Sequence, residues 1–230
     1  MTTIKPSEAM TITPTKEYFG LFLSSFRENV HRLIHRGYED ARCRIQHPKN
    51  NQDKEEPSIT GFLAKAIKDR LNAFDPDDDW CRYYAVYEEF PVETDGRSGK
   101  YRSRVDLIIE FIVSTPKGRP EYVFEAKRLK KRVSDYTDSD GMGCFISGRY
   151  ASRYNEAGML GYVQSDGLAE WKNKVKSKIC LDAQELNLIG TQRDKQVIDA
   201  FPTEWVSEHN RNSVKRSITI YHILLDCCVE

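Results

Sequence analysis

The stretch VFEAKRLKK, residues 123–131, decides how this chain is read. It opens as an apolar strand, then places Glu125 and Lys127 where such a strand would continue, and ends in a run of cations. Side chains alternate across a strand, so Glu125 and Lys127 project from one face while Phe124 and Ala126 project from the other. The preceding stretch, 101–113, reads as a second strand with Asp106 on the same face as Arg104, Ile108 and Glu110. Its connector to residue 121, STPKGRP, is rich in turn residues, so the two strands form an antiparallel hairpin. A turn centred on Lys117 sets Asp106 opposite Arg128, three residues from Glu125, and a small shift of the turn or a bulge closes that gap. Asp106, Glu125 and Lys127 are therefore expected to converge.

Two carboxylates held close together in a partly buried place repel each other unless a cation joins them. Oxygen ligands with open positions point to Mg²⁺ or Mn²⁺, completed by waters and a substrate phosphate. A metal of that kind neutralises phosphate charge and activates water, and a lysine beside it helps position that water or stabilises the developing charge.

Outward from this hairpin, Tyr83 to Val92 reads as a further strand, followed by a loop with Gly96 and Gly99. Upstream, residues 17–36 and 57–74 carry apolar side chains at helical spacing, and Pro57 suits a first helical turn. Residues 44–57 read as a loop, and DPDDD at 75–79 as a solvated turn lacking the glycine and glutamate of a calcium loop. His31 and His35 stand one turn apart on what reads as a solvated helix face. Downstream, 145–163 and 168–188 read as helical, 217–225 (SITIYHILL) as a late strand, and 189–216 receives no assignment. His222 alternates with apolar residues and reads as a core histidine. The order implies an α/β sandwich, a mixed sheet flanked by helices. Residues 1–15 are read as a flexible lead and 16–230 as one domain, with its core at about 55–165 plus the late strand.

The spacing Val105-Asp106, eighteen residues, Glu125-Ala126-Lys127, on two adjacent strands behind a helix that begins with glutamate, resembles the PD-(D/E)XK nucleases, the restriction-endonuclease-like superfamily. Val105 stands where that family's name has proline. The resemblance implies a helix-strand-strand-strand-helix-strand core, in-line hydrolysis of DNA phosphodiester bonds and a 5′-phosphate product. It also implies Glu56, or second to it Glu55, as an auxiliary metal ligand, and the Ala126 main-chain carbonyl as another. Small nucleases without a motor of their own resemble effector subunits of bacterial anti-phage and restriction systems, which often work beside a helicase or ATPase. The alternatives are a catalytically silent nuclease-like assembly subunit, or an enzyme of the same fold acting on RNA or branched DNA.

Composition narrows the partners. Thirty-five basic residues balance thirty-five acidic ones, so contact with nucleic acid must come from local patches. Candidates are Arg102, Arg104, Arg128, Lys130, Lys131 and Arg132 around the site, and Arg149 with Arg153 on the following helix, where they would share a face. No recognition helix, zinc-finger spacing or Walker A motif is visible, so specificity and any ATP use are expected from a partner. Six cysteines without Cys-x-x-Cys spacing read as reduced, mostly structural thiols. No apolar run spans a membrane and the first residues do not read as a secretory signal, so a cytosolic protein is expected; a homodimer would suit double-strand cutting.

Overall fold

In the computed structural model, residues 16–73, 76–92, 102–115 and 118–229 are described. Helices α1 (Lys16–Gln46) and α2 (Glu56–Asn72) precede strands β1 (Tyr84–Pro91), β2 (Arg104–Phe111) and β3 (Glu121–Leu129). Short helices α3 (Ser134–Thr137) and α4 (Gly143–Ile146) lead to β4 (Glu156–Val163) and α5 (Leu168–Leu181). The chain ends in β5 (Arg193–Asp194), β6 (Trp205–Arg211) and β7 (Arg216–Asp226). The seven strands of the described residues join one mixed sheet in the order β1-β2-β3-β4-β7-β6-β5. Only the central pairs, β3 with β4 and β4 with β7, are parallel.

Two apolar layers enclose the sheet. On one face Val30, Leu33 and Ile34 of α1 and Ile59, Leu63 and Ile67 of α2 cover Leu107, Phe124 and Ile223. On the other, Phe145 of α4 and Trp171, Val175 and Ile179 of α5 cover Val123, Met159 and Ile220. The two first helices approach closely at Gly37, where a Cβ would lie 2.3 Å from Ile67 Cγ1. No described helix is long and apolar enough to cross a membrane.

The largest departure from the sequence reading is β4. Residues 145–163, expected as a helix, end in a central strand buried on both faces from Ala157 to Val163. A parallel strand covered on both sides carries a continuous apolar run rather than an alternating one, and periodicity alone does not separate that from a helix. Its two glycines mark the difference, because a Cβ on Gly158 would fall 2.2 Å from the Phe124 ring. The helix at 168–188 ends at Leu181, and the unassigned 189–216 supplies β5 and β6. The first helix runs on into the stretch read as a loop, to Gln46, and residues 52–54 add a 3-10 turn there.

Three smaller readings also change. His31 is fully buried, 3.0 Å from the buried Glu204, so that helix face is core; His35 packs edge-on against Phe201. In DPDDD, Asp78 is buried and ion-paired with Arg36 and Arg70. The hairpin register is offset by three positions from that of a turn at Lys117, since Leu107 faces Phe124 and not Lys127. Position 117, Asp75 and the Gly96–Gly99 loop lie outside the described residues. None of the six cysteines is in a disulfide, and Cys227 lies in the core.

Substituting Gly158→Ala drives a methyl into the Phe124 ring across β3 and β4. Overpacking of this kind costs about 1–3 kcal/mol, expected as a lowered urea midpoint with unchanged slope.

Candidate active site

β2 and β3 are paired only as far as Leu107 and Phe124, after which they separate. β3 continues for five more residues against β4 alone, so its other edge is released. Buried backbone amides need partners. On this edge carboxylates supply them: Ala126 N–H donates to Asp106 Oδ2 at 2.7 Å, and Arg128 N–H donates to Glu56 Oε2 at 2.8 Å. The amide and carbonyl of one strand residue point to the same side, so the Ala126 carbonyl faces this gap as well.

The acids gather with one lysine. Lys127 Nζ donates to Glu125 Oε1 at 2.7 Å and to Glu56 Oε1 at 3.4 Å. Asp106 is close enough to Glu125 for its charge to act on that carboxyl. The expected convergence of Asp106, Glu125 and Lys127 is thus present in the fold, with Glu56 joining from the first turn of α2. Both Glu56 oxygens are taken, one by the Lys127 ammonium and one by a backbone amide, so here it anchors Lys127 and the strand edge. Glu55 instead pairs with Arg128 at 2.7 Å.

Burial sets the electrostatics. It pushes Glu125 up to about 9, with Asp106 adding to the rise and Lys127 opposing it. Burial also raises Asp106 and Glu56, against the amides and Lys127 that favour their charged forms. For Lys127 burial works against the charge, but Glu125 and Glu56 outweigh it and the ammonium is held above its ordinary range.

Among the described residues no three His, Cys, Asp or Glu side chains are grouped closely enough to hold a metal ion by themselves. The donors that do meet still fit a hard divalent cation. Glu125 is 5% exposed and its Oε2 has no hydrogen-bond partner, and a second acid, Asp106, lies beside it. Asp106, Glu125 and the Ala126 carbonyl are oxygen ligands of the type Mg²⁺ and Mn²⁺ take, with room left for water. An open cleft of about 440 Å³, lined by Pro57, Thr60, Glu88, Glu89, Arg104 and Asp106, leads to this point from the α2 side.

The basic candidates divide. Lys130, Lys131 and Arg132 are exposed at the end of β3. Arg128 is committed to Glu55, and the exposed Arg104 lies 3.3 Å from Glu89. Arg102 is half-buried just ahead of β2. Arg149 and Arg153 do not share a helix face, because 147–155 is a series of turns. Arg149 is turned onto its own loop, donating to Ser139 O at 2.5 Å and pairing with Asp140 at 3.1 Å, whereas Arg153 is exposed. His222 is a satisfied core histidine, as read, between Tyr136 and Ser207.

Two features here have no clear mark in the sequence. Tyr150 donates its hydroxyl to Arg104 O at 2.5 Å, two residues before Asp106. Glu89, within β1, has a left-handed backbone with φ of 46°. Comparisons with known protein families, with characterised proteins and with solved structures find no match to this chain.

The raised Glu125 carboxyl carries a sign that can be tested. A carboxyl that holds its proton longer folded than unfolded contributes stability that is full below the unfolded value and is lost as pH rises toward about 9. Without metal, Glu125→Gln is therefore expected to match the wild type near pH 5 and to exceed it by on the order of 1–3 kcal/mol at pH 8, read from urea midpoints at both pH values.

Proposed function

We propose that this chain is a divalent-metal-dependent nuclease that hydrolyses DNA phosphodiester bonds. The observation that carries the reading is the buried, unpartnered Glu125 Oε2 beside Asp106, with Lys127 Nζ 2.7 Å from the other Glu125 oxygen, where the sheet opens. The order helix, strand, strand, strand, short helices, strand from α2 to β4 is what the PD-(D/E)XK resemblance calls for, and it supports a restriction-endonuclease-like core.

Asp106, Glu125 and the Ala126 carbonyl would hold the metal. When bound, Mg²⁺ or Mn²⁺ supplies charge neutralisation at the scissile phosphate and lowers the pKa of water. Lys127 is firmly protonated between two glutamates, so it serves as a cation and hydrogen-bond donor toward the attacked phosphate rather than as the base. Glu56 holds Lys127 in place. The exposed Lys130, Lys131 and Arg132 lie directly beyond the site along β3, suited to backbone phosphates, which supply sequence-independent affinity. A second reading, a nuclease-like fold serving as a binding subunit, draws on the lack of a three-acid group among the described residues.

Supercoiled plasmid at low salt with Mn²⁺ separates the two. The nuclease reading expects nicking by the wild type, abolished by EDTA and reduced about 10²-fold or more in Glu125→Ala and Lys127→Ala. Absence of both cutting and calorimetric Mn²⁺ binding in the wild type would leave the binding-subunit reading.

A further inference from the structure

We infer that Glu89 is a positioning residue whose backbone conformation turns β2 so that the Asp106 carboxylate reaches the released edge of β3. Among the described residues five non-glycine positions have positive φ, and four of them, Ala151, Asp166, Asn187 and Lys215, lie in turns or bends; Glu89 alone lies inside a strand. Its place in the sheet is opposite Asp106. The β1–β2 pairing includes Glu88 with Leu107 and Phe90 with Val105, and it lacks the pair between them, Glu89 with Asp106.

The strand changes face at that gap. Leu107 packs in the layer under α1 and α2, whereas Val105 packs in the layer under α5. Residues two apart on a regular strand share a face, so β2 rotates across Asp106. The chain through β1 does the same, with Val86 in β1 against the first layer and Val92, just past its end, against the second. A side chain at such a rotation leaves the face-to-face alternation and can lie along the sheet, as Asp106 does in accepting from Ala126 N–H at 2.7 Å.

The Glu89 side chain does not explain its conformation. Its carboxylate is exposed, as is Arg104, 3.3 Å away, and exposed pairs of this kind contribute little. A left-handed backbone at a residue with a Cβ persists only where its surroundings fix it. Next to the gap, the Tyr150 hydroxyl holds the carbonyl of Arg104, the partner of Pro91, at 2.5 Å, while Arg211 pins the Tyr150 loop through Ala151 O at 2.9 Å and Tyr154 O at 2.7 Å. The geometric part of the inference stands by itself; its consequence for catalysis rests on the nuclease reading.

Four variants test it: Glu89→Gly, Glu89→Ala, Glu89→Val and, with β1 untouched, Tyr150→Phe. The readouts are amide exchange of Ala126, melting temperature, and the kcat and KM of plasmid nicking. Glycine adopts positive φ freely, so Glu89→Gly should keep the Ala126 amide protected, melt about 2–4 °C higher and nick within about twofold of wild type. Glu89→Ala should behave as wild type in all three. The β-branched Glu89→Val should lose Ala126 protection and at least about tenfold in kcat with KM little changed, because β-branched residues resist this region. If that variant does not fold, Tyr150→Phe is expected to weaken Ala126 protection measurably. Full Ala126 protection in both Glu89→Val and Tyr150→Phe would overturn the inference. So would a folded Glu89→Gly or Glu89→Ala that keeps Ala126 protected yet loses nicking, which would assign the role to the carboxylate. A wild type that nicks nothing would count against the nuclease reading while exchange still decides the kink.

Discussion

Everything at the candidate site depends on one constraint: the amides of β3 beyond Phe124 must be bonded although β2 has left. A third antiparallel partner would have closed the sheet and hidden Glu125 and Lys127. Carboxylates do the work instead, Asp106 for Ala126 and Glu56 for Arg128, on alternate residues of one edge. The acids are therefore held by the same backbone groups that a strand would have satisfied. Their placement is as fixed as a sheet register, which no arrangement of long side chains on a surface achieves.

That economy carries an electrostatic cost. Three carboxyl groups and one ammonium share a largely buried space, and burial raises all three acids. Lys127 offsets part of the repulsion at 2.7 Å from Glu125, and burial beside Asp106 makes Glu125 hold its proton up to about 9. Buried ionic groups seldom add stability over apolar ones of equal size. A chain that keeps this set keeps it at the expense of stability, and the open cleft beside Asp106 is where a compensating cation would come from.

How much of this was legible differs by element. The α2 start at Glu56-Pro57, the β2–β3 hairpin and the late strand carry strong local signals, proline at a first turn and apolar runs bounded by turn residues, and each stands where those signals put it. The convergence of Asp106, Glu125 and Lys127 followed from alternation plus an approximate turn centre. The true register, with Leu107 facing Phe124, is offset by three positions from that centre, which the spacing alone does not reveal. β4 was hidden because burial on both faces erases alternation, and its loss carried Arg149 and Arg153 to the wrong geometry. His31 was misread for a related reason: its partner Glu204 lies 173 positions away, and a helix pattern shows no sign of a distant carboxylate. The backbone of Glu89 could not be read at all, since nothing in YAVYEEFP marks a positive φ.

The buried polar groups of the opposite half make the contrast that gives the site its meaning. His222 lies between the Tyr136 hydroxyl at 3.0 Å and Ser207 Oγ at 2.7 Å, and His209 joins Ser207 to Leu186 O, each contact 2.7 Å. Burial lowers both histidines, His209 to about 4, so each is neutral and each ring nitrogen has a partner. That chain is complete within the protein and has no use for a ligand; it fixes β6 on β7 and the α3 turn on the sheet. Two buried carboxylate oxygens among the described residues lack a hydrogen bond, Glu204 Oε1 and Glu125 Oε2. The first lies 3.0 Å from the His31 ring nitrogen, within ion-pair reach. For the second the nearby influence that adds to burial is another acid, Asp106, which deepens the deficit instead of filling it. Where β2 and β3 part, among the described residues, the buried Glu125 Oε2 is left without a hydrogen bond and beside a second acid, which is the deficit on which the metal-site proposal rests.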